Sequence, residues 1–120
     1  KKKSVTLPVS APFHCTLMKK AEEEMKKYLA NVVVNKPSIP IISNFVASAQ
    51  NDPTKIKELL IKQICGRVRW RESILYMNKQ GINKFVEIGP SKTLTNMMKR
   101  FKLDLKTINI ESIDDIKNYD

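Results

Sequence analysis

The sequence predicts an α/β fold, a layered parallel sheet flanked by helices. Three observations point there. Short β-branched or apolar runs alternate with segments whose apolar residues recur every three or four positions. Pro, Gly and Asp-Pro punctuate the boundaries. A composition of 42% hydrophobic and 28% charged residues is that of a globular chain with a real but small core.

The elements follow in order. Val5-Thr6-Leu7-Pro8-Val9-Ser10 alternates apolar and polar and reads as a short strand that Pro12 ends. Leu17, Met18, Ala21, Met25, Tyr28, Leu29 and Val32 share one face of a helix over residues 16–32. Glu22, Glu23, Lys26 and Lys27 occupy the opposite face as four-apart Glu–Lys pairs. Pro40-Ile41-Ile42-Ser43-Asn44 reads as a buried strand of the parallel sheet. Asp52-Pro53 caps a second helix, with Ile56, Leu59, Leu60 and Ile64 on its apolar face and Gly66 as its stop. Trp70, Ile74 and Met77 carry a third helix to Gly81, and Lys84 to Ile88 is a strand. Gly89-Pro90-Ser91 turns into a fourth helix over 92–101, with Leu94, Met97, Met98 and Phe101 on one side. Leu105 to Ile110 is the last strand and Ile113 to Asn118 a short terminal helix. The resulting order, β-α-β-α-α-β-α-β-α, belongs to a parallel sheet with helical crossovers. No repeat is present, and residues 1–120 read as part of one domain.

Charge narrows the partners. Lys and Arg number 22 against 12 Asp and Glu, a net of +10. Residues 62–106 hold eleven basic and three acidic side chains, whereas residues 107–120 hold one and four. Such an excess suits an acidic protein, a phosphate-bearing ligand, nucleic acid or anionic lipid. Lys, Ile and Asn make up 40 of the 120 residues, the mark of an AT-rich coding bias, so part of this charge reflects drift. There is no aromatic stacking pattern and no Gly-rich or RNP-like motif, which argues against nucleic acid. No apolar run approaches the about 20 residues of a membrane-spanning helix. Cys15 and Cys65 with a single histidine make neither a disulfide framework nor a zinc cluster, so no metal is expected and a reducing, intracellular setting is.

His14 is the residue best placed for chemistry. It lies in a strand-to-helix turn, where open α/β sheets bind ligands beyond the strand ends. A helix start disfavours imidazolium and so keeps such a histidine available as a base. A base also needs an acceptor on its other ring nitrogen. No carboxylate is reserved for that purpose. Gln63 sits in the last turn before Gly66, where helix carbonyls lack partners, and its main-chain carbonyl is the candidate orienter. Cys15 is read as a small core residue rather than a nucleophile. Ser10 and Ser91 have no G-x-S-x-G elbow. Gly89-Pro90-Ser91-Lys92 lacks the spacing of a phosphate loop and reads as a turn aiming the next helix.

Five segments occur in order over about residues 5–110 without large gaps. They are Pro8-Val9-Ser10-Ala11-Pro12-Phe13-His14-Cys15-Thr16-Leu17-Met18, Pro40-Ile41-Ile42-Ser43-Asn44, Gln63, Val68-Arg69-Trp70 with Ser73-Ile74 and Met77, and Phe85-Val86-Glu87-Ile88-Gly89-Pro90 with Lys92-Thr93-Leu94-Thr95. Together they resemble the malonyl-CoA:acyl-carrier-protein transacylases. The resemblance implies the C-terminal part of the large, hydrolase-like subdomain of an acyltransferase domain. It implies malonyl transfer from malonyl-CoA to the phosphopantetheine thiol of acyl carrier protein in type II fatty-acid synthesis, through a serine acyl-enzyme. His14 would be the base and the Gln63 carbonyl its orienter. The nucleophilic serine of a G-H-S-x-G elbow, the oxyanion-hole glutamine and the malonyl-binding arginine have no counterpart in this chain, so it is expected to be inactive alone and to need the N-terminal half of the enzyme. Gly66-Arg67 stands where the family has Asn-Pro, and Ser91 where it has Gly.

The implied partners are malonyl-CoA, as substrate rather than resident cofactor, and the acidic acyl carrier protein. Lys1 to Lys3, Lys19, Lys20, Arg67, Arg69 and Arg71 are the candidate steering cations. No membrane or nucleic-acid partner is expected. Two other readings stay open: a non-catalytic basic α/β module that binds an acidic carrier protein, and an acyltransferase piece of a multidomain polyketide-type synthase. The setting would be a plastid or mitochondrion for an AT-rich eukaryote and otherwise a bacterial cytoplasm.

Overall fold

The computed structural model describes residues 11–119, so the strand expected over Val5–Ser10 lies outside the described residues. The chain is mixed α/β and divides into two compact units, Lys1–Ser73 and Ile74–Asp120.

In the first unit, a single 3-10 turn, Thr16–Met18, leads into helix α1, Lys19–Ala30. Its polar side is laced by Lys19 to Glu22 and by Lys27 to Glu24 at 2.6 Å, so these contacts are three residues apart rather than the four expected. The apolar face read from the sequence is only partly covered: Leu29 is half-buried, no residue of α1 is fully buried, and Tyr28 is 74% exposed.

The strand expected at Pro40–Asn44 forms as β1, Ile41–Ser43, but its partner corrects the expectation. It pairs antiparallel with β2, Ser48–Gln50, in the register Ile41 to Gln50 and Ser43 to Ser48. The reason is local. A parallel partner requires a crossover of a dozen or more residues, whereas residues 44–47 close a tight turn at once. The Ala47 amide donates to the Ser43 carbonyl at 2.7 Å, Ala47 takes φ 55°, and the Phe45 amide donates to Ser43 Oγ at 3.2 Å.

Helix α2, Pro53–Lys62, starts as expected, with Asp52 Oδ1 accepting from the Lys55 amide at 2.9 Å and proline in the first turn. Ile56 and Leu59 are its buried face. The helix ends where the Gly66 amide donates to the Lys62 carbonyl at 3.0 Å. Glycine is required there by space: a Cβ would stand 2.3 Å from the Phe45 ring and 2.9 Å from the Lys62 carbonyl oxygen. Helix α3, Trp70–Lys79, spans the division between the units. Its entry is tied to the hairpin by the Arg69 amide donating to the Asn44 carbonyl at 2.9 Å, and buried Ser73 donates to the Arg69 carbonyl at 2.9 Å.

The second unit holds the parallel pair the sequence predicts. β3, Lys84–Ile88, lies beside β4, Lys106–Ile110, with Lys84 opposite Lys106 and Ile88 opposite Ile110. Helix α4, Thr93–Met98, makes the crossover and stops three residues before the expected Phe101. The Arg100 and Phe101 amides reach back only three residues, to Met97 and Met98, so the chain tightens out of the α-helix. Thr95, Met98 and Ile110 are buried. Helix α5, Ile113–Lys117, opens with a reciprocal capping box between Ser112 and Asp115. Among the described residues, no helix is long and apolar enough to cross a membrane.

Replacing Gly66 by Ala forces the Phe45 ring or the end of α2 to move. The expected loss is about 1–3 kcal/mol in urea unfolding, the usual range for overpacking. A variant as stable as the parent would show that the Phe45 ring yields freely.

Candidate functional site

His14 occupies a left-handed backbone conformation, φ 58°, in the turn before the 3-10 residues. For a side-chain-bearing residue that costs about 1–3 kcal/mol, and it persists where the surroundings hold it. The holding contact is specific. Nδ1 of His14 lies 2.9 Å from the main-chain oxygen of Gln63.

Gln63 caps the C-terminus of α2, where the helix leaves its last carbonyls without intrahelical donors. A carbonyl oxygen only accepts, so Nδ1 must carry the hydrogen and the lone pair of the neutral ring falls on Nε2. His14 is exposed and Gln63 half-buried. The two residues singled out from the sequence therefore meet, through a helix end in place of a carboxylate.

Neither cysteine is prepared for nucleophilic work. Cys15 Sγ donates to the Pro12 carbonyl at 3.1 Å. Burial pushes the Cys65 thiol above its ordinary range, and the neighbouring Glu22 carboxylate raises it further. Among the described residues, no group of His, Cys, Asp and Glu could hold a metal ion. A small, mostly apolar cavity of about 70 Å³ lies between β1 and α2, with Gln63 on its wall beside Ser43 and Asn44.

A second network organises the Gly89-Pro90-Ser91 turn. Glu87 is buried on β3, and its two carboxylate oxygens accept from the Leu94 amide at 3.0 Å and the Thr95 amide at 2.8 Å. Asn109 on β4 donates to the Ser91 carbonyl at 2.7 Å and, more loosely, to the Glu87 carbonyl at 3.4 Å. Burial pushes the Glu87 carboxyl up. The Thr95 hydroxyl and the two amides outweigh that and hold it below the usual carboxylate range. Glu87 stands within the Phe85-Val86-Glu87-Ile88-Gly89-Pro90 segment, whereas Asn109 lies outside every motif of the sequence. The available signal was a polar side chain inside the run Thr107-Ile108-Asn109-Ile110.

The structure redistributes the expected steering cations. Lys19 is paired with Glu22, and Arg67 and Arg69 with Glu72. Lys1 to Lys3 lie outside the described residues.

No family model matches the chain. Its relatives are nonetheless consistent. It is 38% identical over 116 residues to the malonyl CoA-acyl carrier protein transacylase of Bacillus subtilis, covering 97% of this chain and 37% of that one. It is 35% identical over 112 residues to that of Haemophilus influenzae, covering 93% and 36%. The chain is homologous to the malonyl-CoA:acyl-carrier-protein transacylases. It spans little more than a third of the length of the transacylases it matches. The fold agrees with the transacylase crystal structures: the acyl-carrier-protein S-malonyltransferase of Bartonella henselae superposes with a TM-score of 0.89 at 40% identity, over 98% of this chain and 37% of that one. A further transacylase solved in complex with a type II polyketide acyl carrier protein has a TM-score of 0.85 at 28% identity, covering 93% and 36%.

The lowered pKa of Glu87 fixes the sign of a pH effect. Its contribution is present above the unfolded value near 4.5 and is lost as pH falls through the lower folded value. Glu87→Gln should melt below the parent at about pH 7, and the gap should close towards about pH 3. Thermal melts across that range check this; a gap independent of pH would assign Glu87 to packing alone.

Proposed function

We propose that this chain is the C-terminal portion of a single acyltransferase domain that moves malonyl from malonyl-CoA to the phosphopantetheine thiol of acyl carrier protein, with His14 as its base. The observation that carries the reading is the 2.9 Å contact from His14 Nδ1 to the Gln63 oxygen, made by a strained residue within the segment shared with the transacylases.

The chemistry follows from that tautomer. A serine hydroxyl from the portion of the enzyme that this chain does not span gives its proton to Nε2 as Oγ attacks the malonyl thioester carbon. The tetrahedral intermediate collapses, the C–S bond breaks, and the proton on Nε2 goes to the departing CoA thiol. The carrier's thiol then gives its proton to Nε2, attacks the serine ester and takes the malonyl group. Serine leaves with the proton that Nε2 returns. Gln63 oxygen keeps Nδ1–H engaged throughout and favours the imidazolium formed in each half. No serine of this chain stands in a G-H-S-x-G elbow, so malonyl transfer by the 120 residues alone is expected to be absent.

The test uses this chain joined to the upstream portion of a transacylase. His14→Asn is the informative variant, because asparagine tolerates a left-handed backbone and carries no base. Transfer should fall by about 10²-fold or more, within the range for a lost general base, while the melting temperature stays near the parent's. Near-unchanged transfer would leave His14 a structural residue and favour the non-catalytic carrier-binding module.

A further inference from the structure

We propose that Phe45 is a positioning residue for His14: its ring, laid against Gly66, holds the end of α2 where the Gln63 carbonyl meets Nδ1. The inference rests on the proposed function for what the aimed imidazole does, and on geometry for what aims it.

The contact asks more of its acceptor than an ordinary hydrogen bond does. His14 is exposed and its backbone is left-handed, φ 58°. The strain of such a backbone is comparable with the net worth of one hydrogen bond. The acceptor must therefore be held in place by something other than the histidine.

The exit of α2 is poorly built to stand still by itself. After Gln63 the chain runs Ile64-Cys65-Gly66-Arg67-Val68-Arg69, with a glycine in its middle and no proline to fix it. The Ile64 amide donates to the Ile61 carbonyl at 3.2 Å and the Gly66 amide to the Lys62 carbonyl at 3.0 Å. Neither bond reaches beyond α2. Cys65 stands beside the Glu22 carboxylate of α1, a contact made through a weak thiol donor.

The hairpin supplies support from outside the helix. Its turn is closed by the Ala47 amide on the Ser43 carbonyl, and the Phe45 amide is held by Ser43 Oγ. The half-buried Phe45 ring lies so close to Gly66 that a Cβ there would strike it. Three residues on, the Arg69 amide donates to the Asn44 carbonyl at 2.9 Å. The exit is thus stitched to the turn at Gly66 and again at Arg69. The second stitch is main chain to main chain and survives a change of side chain. The first depends on the ring, and it is the one three residues from Gln63. A flat ring against glycine is a shape that a branched aliphatic side chain does not reproduce.

His14 is the only histidine of the chain, so long-range proton–nitrogen NMR correlations read its tautomer directly. With the ring neutral, at about pH 9, the parent should show Nδ1–H. Phe45→Leu should move a large share of the population to Nε2–H, and Phe45→Tyr, which keeps the ring, should restore the parent pattern. Gly66→Ala, which displaces the ring from the other side, should act like Phe45→Leu. Met98→Ala, a cavity in the second unit, should lower stability and leave the tautomer alone. Circular dichroism reports folding of each variant. A folded Phe45→Leu with the parent tautomer would overturn the inference. So would failure of Phe45→Leu to fold, which would make Phe45 a core residue and nothing more. In the chain joined to the upstream portion of a transacylase, Phe45→Leu should lower kcat about tenfold with KM for malonyl-CoA within about twofold. Failure of the proposed function looks different: the tautomer lost in Phe45→Leu, yet malonyl transferred at the parent rate.

Discussion

An α-helix cannot satisfy its own last carbonyls, and in the first unit that leftover oxygen is put to use. α2 has to stop after Lys62, because Gly66 is tucked beneath the Phe45 ring and the chain turns there. Stopping leaves the Gln63 oxygen available, and it accepts from His14 Nδ1. The tautomer of the His14 ring follows from this one contact, which is made by a residue with a strained backbone just before the chain turns into α1. A main-chain acceptor has a further property. It cannot be protonated or deleted by substituting a side chain, so the orientation of His14 is guarded by the path of the backbone.

The second unit solves the mirror problem, the donors that a helix start leaves open. Glu87 reaches from β3 to two amides at the start of α4 and ties the crossover to the sheet at the Gly89-Pro90 turn. Asn109 closes the same turn from the neighbouring strand. A buried carboxylate is tolerable there because its hydrogen bonds are to the charged form.

The sequence carried most of the helices, β3 and β4, because each has a clear period and a chemical start or stop: Asp52-Pro53, Gly81, Gly89-Pro90, Ser112. It also carried the meeting of His14 with Gln63, since a helix end advertises free carbonyls. It did not carry the partner of β1. Ser48-Ala49-Gln50 is short and has neither bulk nor a β-branched residue, and its pairing goes with the left-handed turn at Ala47, which alanine does not announce. Nor did it carry which charges are free, because an ion pair such as Arg67 with Glu72 depends on how the chain folds back between them. Asn109 escaped for the same reason: its value lies in reaching Ser91, eighteen residues earlier.

Both sheets have two strands among the described residues, so one ladder edge of every strand has no partner among them. Such edges are templates for adding strands from other chains, and Ile88 at 79% exposed and Ile39 at 78% give them apolar flanks. Pro37 and Pro40 stand before β1, and Lys84 opens β3, the residue types that interrupt or repel an incoming strand. At those edges the two prolines and the lysine are the residues that set how readily another strand can add.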